Sequence, residues 1–193
     1  RLCKDFLRKT IEKTLSLKLM INSVHELTKK IKYMKNHWID ILKYNLWANQ
    51  RTVDLLNQYE EEIITQPIVN SFPSIELTMK HLWGAEKIWL MRLKGNPAAT
   101  FPEFNGSLPD IFQMGLKVSA DFLEFIENQE EAFFGLNRDF QKTKSTDYSL
   151  PVQQIIHHVM NHSTYHRGQI TTLGRQADFG EIKSTDYTTY LAR

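Results

Sequence analysis

The sequence is poor in cysteine and lacks a long apolar run. Cys3 is the single cysteine among 193 residues, which excludes an intramolecular disulfide and leaves no thiolate cluster for a metal. Hydrophobic residues make up 41% of the chain, enough for one domain with a sizeable core, but no apolar run approaches the length of a membrane span. We therefore expect a cytoplasmic protein with no membrane partner.

Charged residues are unevenly distributed along the chain. Residues 1–35 contain ten Lys or Arg against three Asp or Glu, a net charge of +7, so residues 36–193 carry −5 within the total of +2. An acidic domain binds phosphate backbones poorly, so we expect no nucleic-acid partner. We predict that residues 1–35 form a basic N-terminal extension outside a core domain at residues 36–193. The alternative for this extension is an amphipathic helix for targeting or surface binding.

Apolar residues recur at intervals of three and four in four segments, which predicts four amphipathic helices. The segments are 36–59, 74–94, 108–129 and 151–176. Ser74 can cap the second helix, which ends at Gly95. Residues 131–149 lose this period and predict a short β-hairpin or an irregular crossover. The fold class predicted is all-α, an up-down four-helix bundle with a long crossover or short hairpin before the last helix.

Histidines are concentrated in the last of these helices. His158, His162 and His166 are four residues apart, and each step of four turns a helix by only about 40°, so the three imidazoles share one face. His81 lies on the apolar face of the second predicted helix. Either neighbouring pair of the histidine ridge can combine with His81 to make a three-nitrogen site. The remaining histidine would then support a ligand or act as a general base.

Three imidazoles predict a particular kind of metal site. Structural zinc sites usually close with four protein ligands, whereas three ligands leave a position for water or substrate. Because no thiolates are available, the donors favour zinc, nickel or another divalent metal that accepts nitrogen ligands.

Four blocks of the sequence resemble the DinB/YfiT-like family, which is named for a damage-inducible bacterial gene and is unrelated to the polymerase of that name. The blocks are YNLWANQRTVDLL (44–56), HLWGAEKIWLMRL (81–93), HHVMNHSTYHRGQI (157–170) and STDYTTYL (184–191). The resemblance covers about residues 36–193 and implies a four-helix bundle that holds a divalent metal with three histidines. By the family pattern these are His81, His162 and His166, with His158 as a neighbour.

The resemblance also implies partners and a reaction. Family members commonly pair as homodimers, and the better understood relatives are S-transferases that use low-molecular-weight thiols such as bacillithiol or mycothiol, and a thiol-dependent isomerase. We therefore predict a metal-dependent thiol S-transferase that uses zinc or nickel and a small-molecule thiol. The alternatives are a metal-dependent hydrolase and a non-catalytic, metal-stabilised module for stress response or dimerisation.

Two charged residues in the same blocks have structural interpretations. Glu86 follows His81 by five residues and so lies to one side of it, where we expect an ion pair at the helix surface or between helices. Arg167 is a candidate partner for such a carboxylate.

Overall fold

The computed structural model describes the backbone of residues 2–143 and 146–193, and their side chains except those of residues 2–12, 14, 27–33, 142, 143 and 146. The chain divides into two units, Arg1–His37 and Trp38–Arg193. Its elements are α1 (Leu2–Leu56), α2 (Glu61–Thr65), α3 (Ile75–Leu93), α4 (Leu108–Glu127), a 3-10 helix (Glu131–Gly135), β1 (Asn137–Thr143), β2 (Thr146–Pro151), α5 (Val152–Gln176) and α6 (Tyr187–Leu191). None of the described helices combines the length and apolar character that crossing a membrane requires.

Helix α1 begins far before the first predicted helix. We predicted a start at residue 36, and the structure has one continuous helix from Leu2 to Leu56. The reason lies in the composition of this stretch, because it contains neither proline nor glycine, the residues that most strongly interrupt a helix. The predicted start was therefore wrong.

The other bundle helices begin close to the predicted positions. Ser74 caps α3, and its side chain accepts a hydrogen bond from the backbone of Leu77 at 3.0 Å. Ser107 and Asp110 form a reciprocal capping box at the start of α4. Before α5, β1 and β2 pair antiparallel, which confirms the predicted short hairpin. The all-α four-helix bundle prediction is confirmed.

Two apolar clusters fill the bundle and show the direction of each helix. The Met79 cluster takes residues from every bundle helix: Val53, Met79, Ile111 and Ile170. The Phe122 cluster does the same: Leu42, Leu90, Phe122 and Val159. Along α3 and α4 the chain passes from the Met79 cluster to the Phe122 cluster, and along α1 and α5 it passes the other way. Helices α3 and α4 therefore run in the same direction, so the bundle is a four-helix bundle as predicted but does not have the up-down order that we predicted.

Parallel neighbours need a connection that returns along the bundle, and residues 94–107 supply it. These 14 residues can span up to roughly 46 Å when extended, whereas a 20-residue helix is roughly 30 Å long. The long crossover thus lies before α4, and the hairpin alone precedes the last helix. The crossover places Phe101 against α3, where a Cβ at Gly84 would lie 2.5 Å from the Phe101 ring. Glycine at position 84 permits this close approach.

Candidate metal centre

Helices α3 and α5 bring three imidazoles together. His81 comes from α3, and His162 and His166 come from α5. The Nε2 atom of His162 lies 3.1 Å from Nε2 of His81 and 3.1 Å from Nε2 of His166. All three ligand nitrogens lie within 4.8 Å of one another. Nitrogens bound at about 2.1 Å to a tetrahedral ion are roughly 3.4 Å apart, so the spacing fits one divalent ion.

The surroundings of this histidine cluster favour neutral imidazoles. Burial, followed by the charge of the neighbouring His166, lowers the pKa of His81 to about 4. Burial, followed by the charges of the other histidines, lowers the pKa of His162 to about 3. Burial also lowers the pKa of His166. Because the neutral ring is the form that binds a metal, protons compete little for these nitrogens at neutral pH.

Neighbouring side chains orient two of the rings. The Nδ1 atom of His166 donates a hydrogen bond to Oε1 of Gln169 at 2.7 Å, which leaves the lone pair on Nε2. The rings of Phe72 and Phe101 both stack on the His81 ring, at centroid distances of 4.1 and 5.4 Å. Sequence reasoning missed all three of these neighbours. For Gln169 a signal existed, since residues three apart on a helix are in contact.

A cavity of about 630 Å³ opens beside the histidine cluster, a volume typical of sites for small molecules. His81 and His162 line it, and so do Trp89 and Arg92 of α3. His158 also lines the cavity, and its ring centroid lies 5.9 Å from that of His162. It is outside the group of three converging nitrogens. The structure thus brings together the three histidines implied by the family pattern and places His158 next to them.

A buried polar layer lies beside the histidine cluster and between the two apolar clusters. At its centre Glu86 is only 1% exposed. Its carboxylate accepts hydrogen bonds from the side chains of four residues: Asn45 at 2.7 Å, Asn49 at 3.0 Å, Ser119 at 2.6 Å and Ser163 at 2.8 Å. These donors come from α1, α4 and α5, so this Glu86 layer links all four bundle helices.

Arg167 supplies the positive charge of the Glu86 layer and is 2% exposed. Its Nη1 atom donates to Oδ1 of Asn45 at 2.7 Å and to Oδ1 of Asn49 at 2.8 Å. Each amide therefore turns its oxygen to Arg167 and its nitrogen to Glu86. We expected an ion pair, at the surface or between helices; the described hydrogen bonds instead connect the two buried charges through two amides.

The fold and the site together define a class: a four-helix bundle with three converging imidazoles beside a small-molecule cavity. The chain belongs to the DinB family, which it matches over residues 33–191. The resemblance drawn from the four sequence blocks is thereby confirmed.

Individual relatives are similar over most of their length. Protein DinB from Bacillus subtilis (strain 168) is 29% identical over 172 residues, which cover 82% of this chain and 95% of that protein. A DinB-like protein from Bacillus cereus ATCC 10987 superposes with a TM-score of 0.62 at 19% identity, covering 76% of this chain and 94% of that one. YfiT from Bacillus subtilis has a TM-score of 0.59 at 15% identity, covering 77% and 90%; it is described as a probable metal-dependent hydrolase with an unusual four-helix bundle topology. The two structural likenesses show a shared fold.

Proposed function

We propose that this DinB-family protein binds one divalent metal ion through His81, His162 and His166. The observation that carries the proposal is the convergence of three imidazole nitrogens: His162 Nε2 lies 3.1 Å from Nε2 of each of the other two, and all three lie within 4.8 Å of one another, a spacing that fits ligands of one ion. Nitrogen donors without thiolates favour zinc or nickel. The ion would supply a Lewis acid with an open position, which lowers the pKa of a thiol or a water entering from the cavity.

We propose further that the reaction is transfer of a low-molecular-weight thiol to an organic electrophile. Apolar side chains, among them Ile88, Trp89 and Phe101, form much of the cavity wall and suit an organic substrate. The thiol gives its proton to water, its sulfur forms a bond to an electrophilic carbon, and the displaced group leaves with the electron pair of the broken bond. The resemblance supplies this reaction type, and the cavity beside the histidines supports it.

Hydrolysis is the second candidate, because the structurally similar YfiT is described as a probable metal-dependent hydrolase. Metal-dependent hydrolysis commonly uses a carboxylate base. Among the described residues that line the cavity there is no Asp or Glu, and Glu86 is buried and engaged by four donors. His158 would be the base available in the cavity. A purely structural ion is the third candidate, and the Glu86 layer weakens it because that layer joins the bundle helices without a metal.

Metal analysis of the purified protein tests the site. We expect about one divalent ion per chain and a loss of most of it in His162→Ala, which removes the central nitrogen of the three. His158→Ala is the matched control, since it removes an imidazole from the same cavity and helix face and should retain the ion. Equal metal content in the wild type and in His162→Ala would overturn the assignment of the ligands.

Titration of the cobalt-substituted protein with small thiols tests the reaction. A charge-transfer band that grows with thiol concentration supports thiol transfer, and the same band should be absent in His162→Ala. A spectrum that responds to none of the thiols, together with ester or amide hydrolysis by the zinc-loaded protein, would favour the second candidate. An unfolding temperature that falls steeply after chelation would favour a structural ion.

The resemblance also implies a homodimer, which stays a prediction. Sedimentation of the purified protein distinguishes a monomer of 22.7 kDa from a dimer.

A further inference from the structure

Arg92 lies at the end of the cavity away from the histidine cluster. His81, Ala85, Ile88 and Arg92 follow one another at intervals of four, three and four, so they share one face of α3 and all four line the cavity. Arg92 is 11 residues after His81, roughly 16 Å along the helix axis. One helix face thus carries an imidazole at one end of the cavity and a guanidinium at the other.

Aromatic rings hold the guanidinium of Arg92 in place. Its Cζ atom lies 4.5 Å from the ring centroid of Trp89 and 4.8 Å from that of Phe140. Because Trp89 precedes Arg92 by three residues, the side chain turns back toward His81 by about one helical turn. The remaining separation along the axis is therefore roughly 11 Å.

The hydrogen bonds of Arg92 leave room for a further acceptor. Its Nη2 atom donates to the backbone oxygen of Gln141 at 3.2 Å, while Nε is buried and has no acceptor among the described residues. A guanidinium has five N–H groups, and it keeps its charge although burial lowers the pKa of Arg92. Among the described residues that line the cavity there is no Asp or Glu, and Arg92 is the only Lys or Arg.

We propose that Arg92 selects ligands that carry a carboxylate at one end, held by the guanidinium, with the reactive group roughly 11 Å away at the histidine cluster. Arg92 has a buried N–H without an acceptor among the described residues, its guanidinium packs against two aromatic rings, and none of the described residues that line the cavity is an acid. An anion that enters the cavity would therefore compensate its positive charge. The assignment of the reactive end to a thiol rests on the proposed function. The recognition of the anion by Arg92 does not.

Thiols of fixed length can measure this arrangement. In extended 8-mercaptooctanoate the eight bonds from the sulfur to the carboxylate carbon span roughly 10 Å at about 1.3 Å per bond, so this thiol can reach both ends, and 8-mercapto-1-octanol has the same length without the charge. In the cobalt-substituted protein we expect Arg92→Gln to lower the affinity for 8-mercaptooctanoate about tenfold to a hundredfold, the usual loss for one charge-assisted hydrogen-bonded contact. Binding of the alcohol should change less than twofold. Equal weakening of both thiols would overturn the proposal.

Two controls separate recognition from a structural role of Arg92. 3-Mercaptopropionate is too short to span the cavity, so its affinity should be insensitive to Arg92→Gln, and equal sensitivity would contradict the 11 Å arrangement. Arg175→Gln removes an exposed arginine from the last turn of α5 and should leave all three thiols unaffected. If Arg92→Gln fails to fold, Arg92→Lys provides the test: it keeps the charge but loses the forked donors, and should weaken only the eight-carbon acid.

A probe without sulfur distinguishes failure of this proposal from failure of the proposed function. Octanoate should quench the fluorescence of Trp89, which lies against Arg92, and the quenching should require Arg92. Octanoate binding that depends on Arg92, with a cobalt spectrum silent to every thiol, would retain anion recognition and reject thiol transfer. A cobalt spectrum that responds to thiols, with 8-mercaptooctanoate and 8-mercapto-1-octanol binding equally well, would retain thiol transfer and reject anion recognition by Arg92.

Discussion

The histidine cluster and the Glu86 layer are adjacent polar groups that both include residues of α3 and α5, but they differ in how far their polar atoms are paired. In the Glu86 layer, the carboxylate has four donors and the two amides each join an acceptor to a donor, although Nε of Arg167 is buried without an acceptor among the described residues. In the histidine cluster, three Nε2 atoms converge beside a cavity, and Nδ1 of His162 is buried without a partner among the described residues. A network in which nearly all groups are satisfied makes a fold specific, whereas three ring nitrogens that converge on one point call for a functional explanation. We infer that the layer is structural and the cluster functional.

Of the changes considered, Glu86→Ala should have the largest effect, and this effect tests the structural role of the Glu86 layer. It removes the acceptor of four side chains and leaves the charge of Arg167 buried without compensation. Loss of one partner of a buried charge pair typically costs about 3–5 kcal/mol. We expect a decrease of that size in the free energy of unfolding measured by urea denaturation of the metal-free protein.

Glu124→Ala is the matched control for this prediction. Glu124 is an exposed carboxylate on α4, and its removal should change the free energy of unfolding by less than about 1 kcal/mol. Similar small losses in both variants would mean that the Glu86 layer does not hold the bundle together.

The histidine cluster could be predicted from the sequence because its geometry is local. Helical pitch places His162 and His166 on one face, and capping residues such as Ser74 indicate where a helix begins. Only His81 had to come from another helix, where its place on the apolar face identified it, and the family pattern then selected His162 and His166 from the ridge.

The Glu86 layer could not be predicted in the same way, because its partners come from three other helices. The spacing of four between Asn45 and Asn49, and between Ser163 and Arg167, marked polar pairs on helix faces but not what they bind. The relative directions of α3 and α4 could not be predicted for a related reason. An amphipathic pattern has the same spacing in either chain direction, so only the contacts between helices show that two of them are parallel.

Gln169→Ala should produce the second largest effect, and it acts on the histidine cluster alone. The substitution removes the acceptor that orients His166 and keeps its lone pair on Nε2. Loss of such a supporting contact typically weakens metal affinity about tenfold to a hundredfold. Competition with a chromophoric chelator measures this affinity. Gln154→Ala, an exposed glutamine on the same helix, should leave it unchanged, and equal affinities in all three proteins would show that the contact with Gln169 does not support the ligand.

Acidification of the metal-free protein should give the smallest of the three effects, a modest decrease in the free energy of unfolding. The rings of His81 and His162 are partly exposed, so solvent weakens their interactions. In the unfolded chain these imidazoles take up protons near pH 6.5, whereas in the folded protein their pKa values are about 4 and 3. Between pH 6.5 and about 3 the unfolded state therefore binds more protons, and stability should decrease as the pH falls through this window.

Urea denaturation at pH 7.5, 6 and 5 measures this dependence. A variant with both His81→Gln and His162→Gln removes the two groups and should show a flatter dependence over the same range, while Glu86→Ala should keep the wild-type slope because it leaves the imidazoles in place. A wild-type stability that stays constant or rises toward pH 5 would contradict the neutral state of the cluster. It would then remove the argument that these nitrogens are free of protons when a metal arrives.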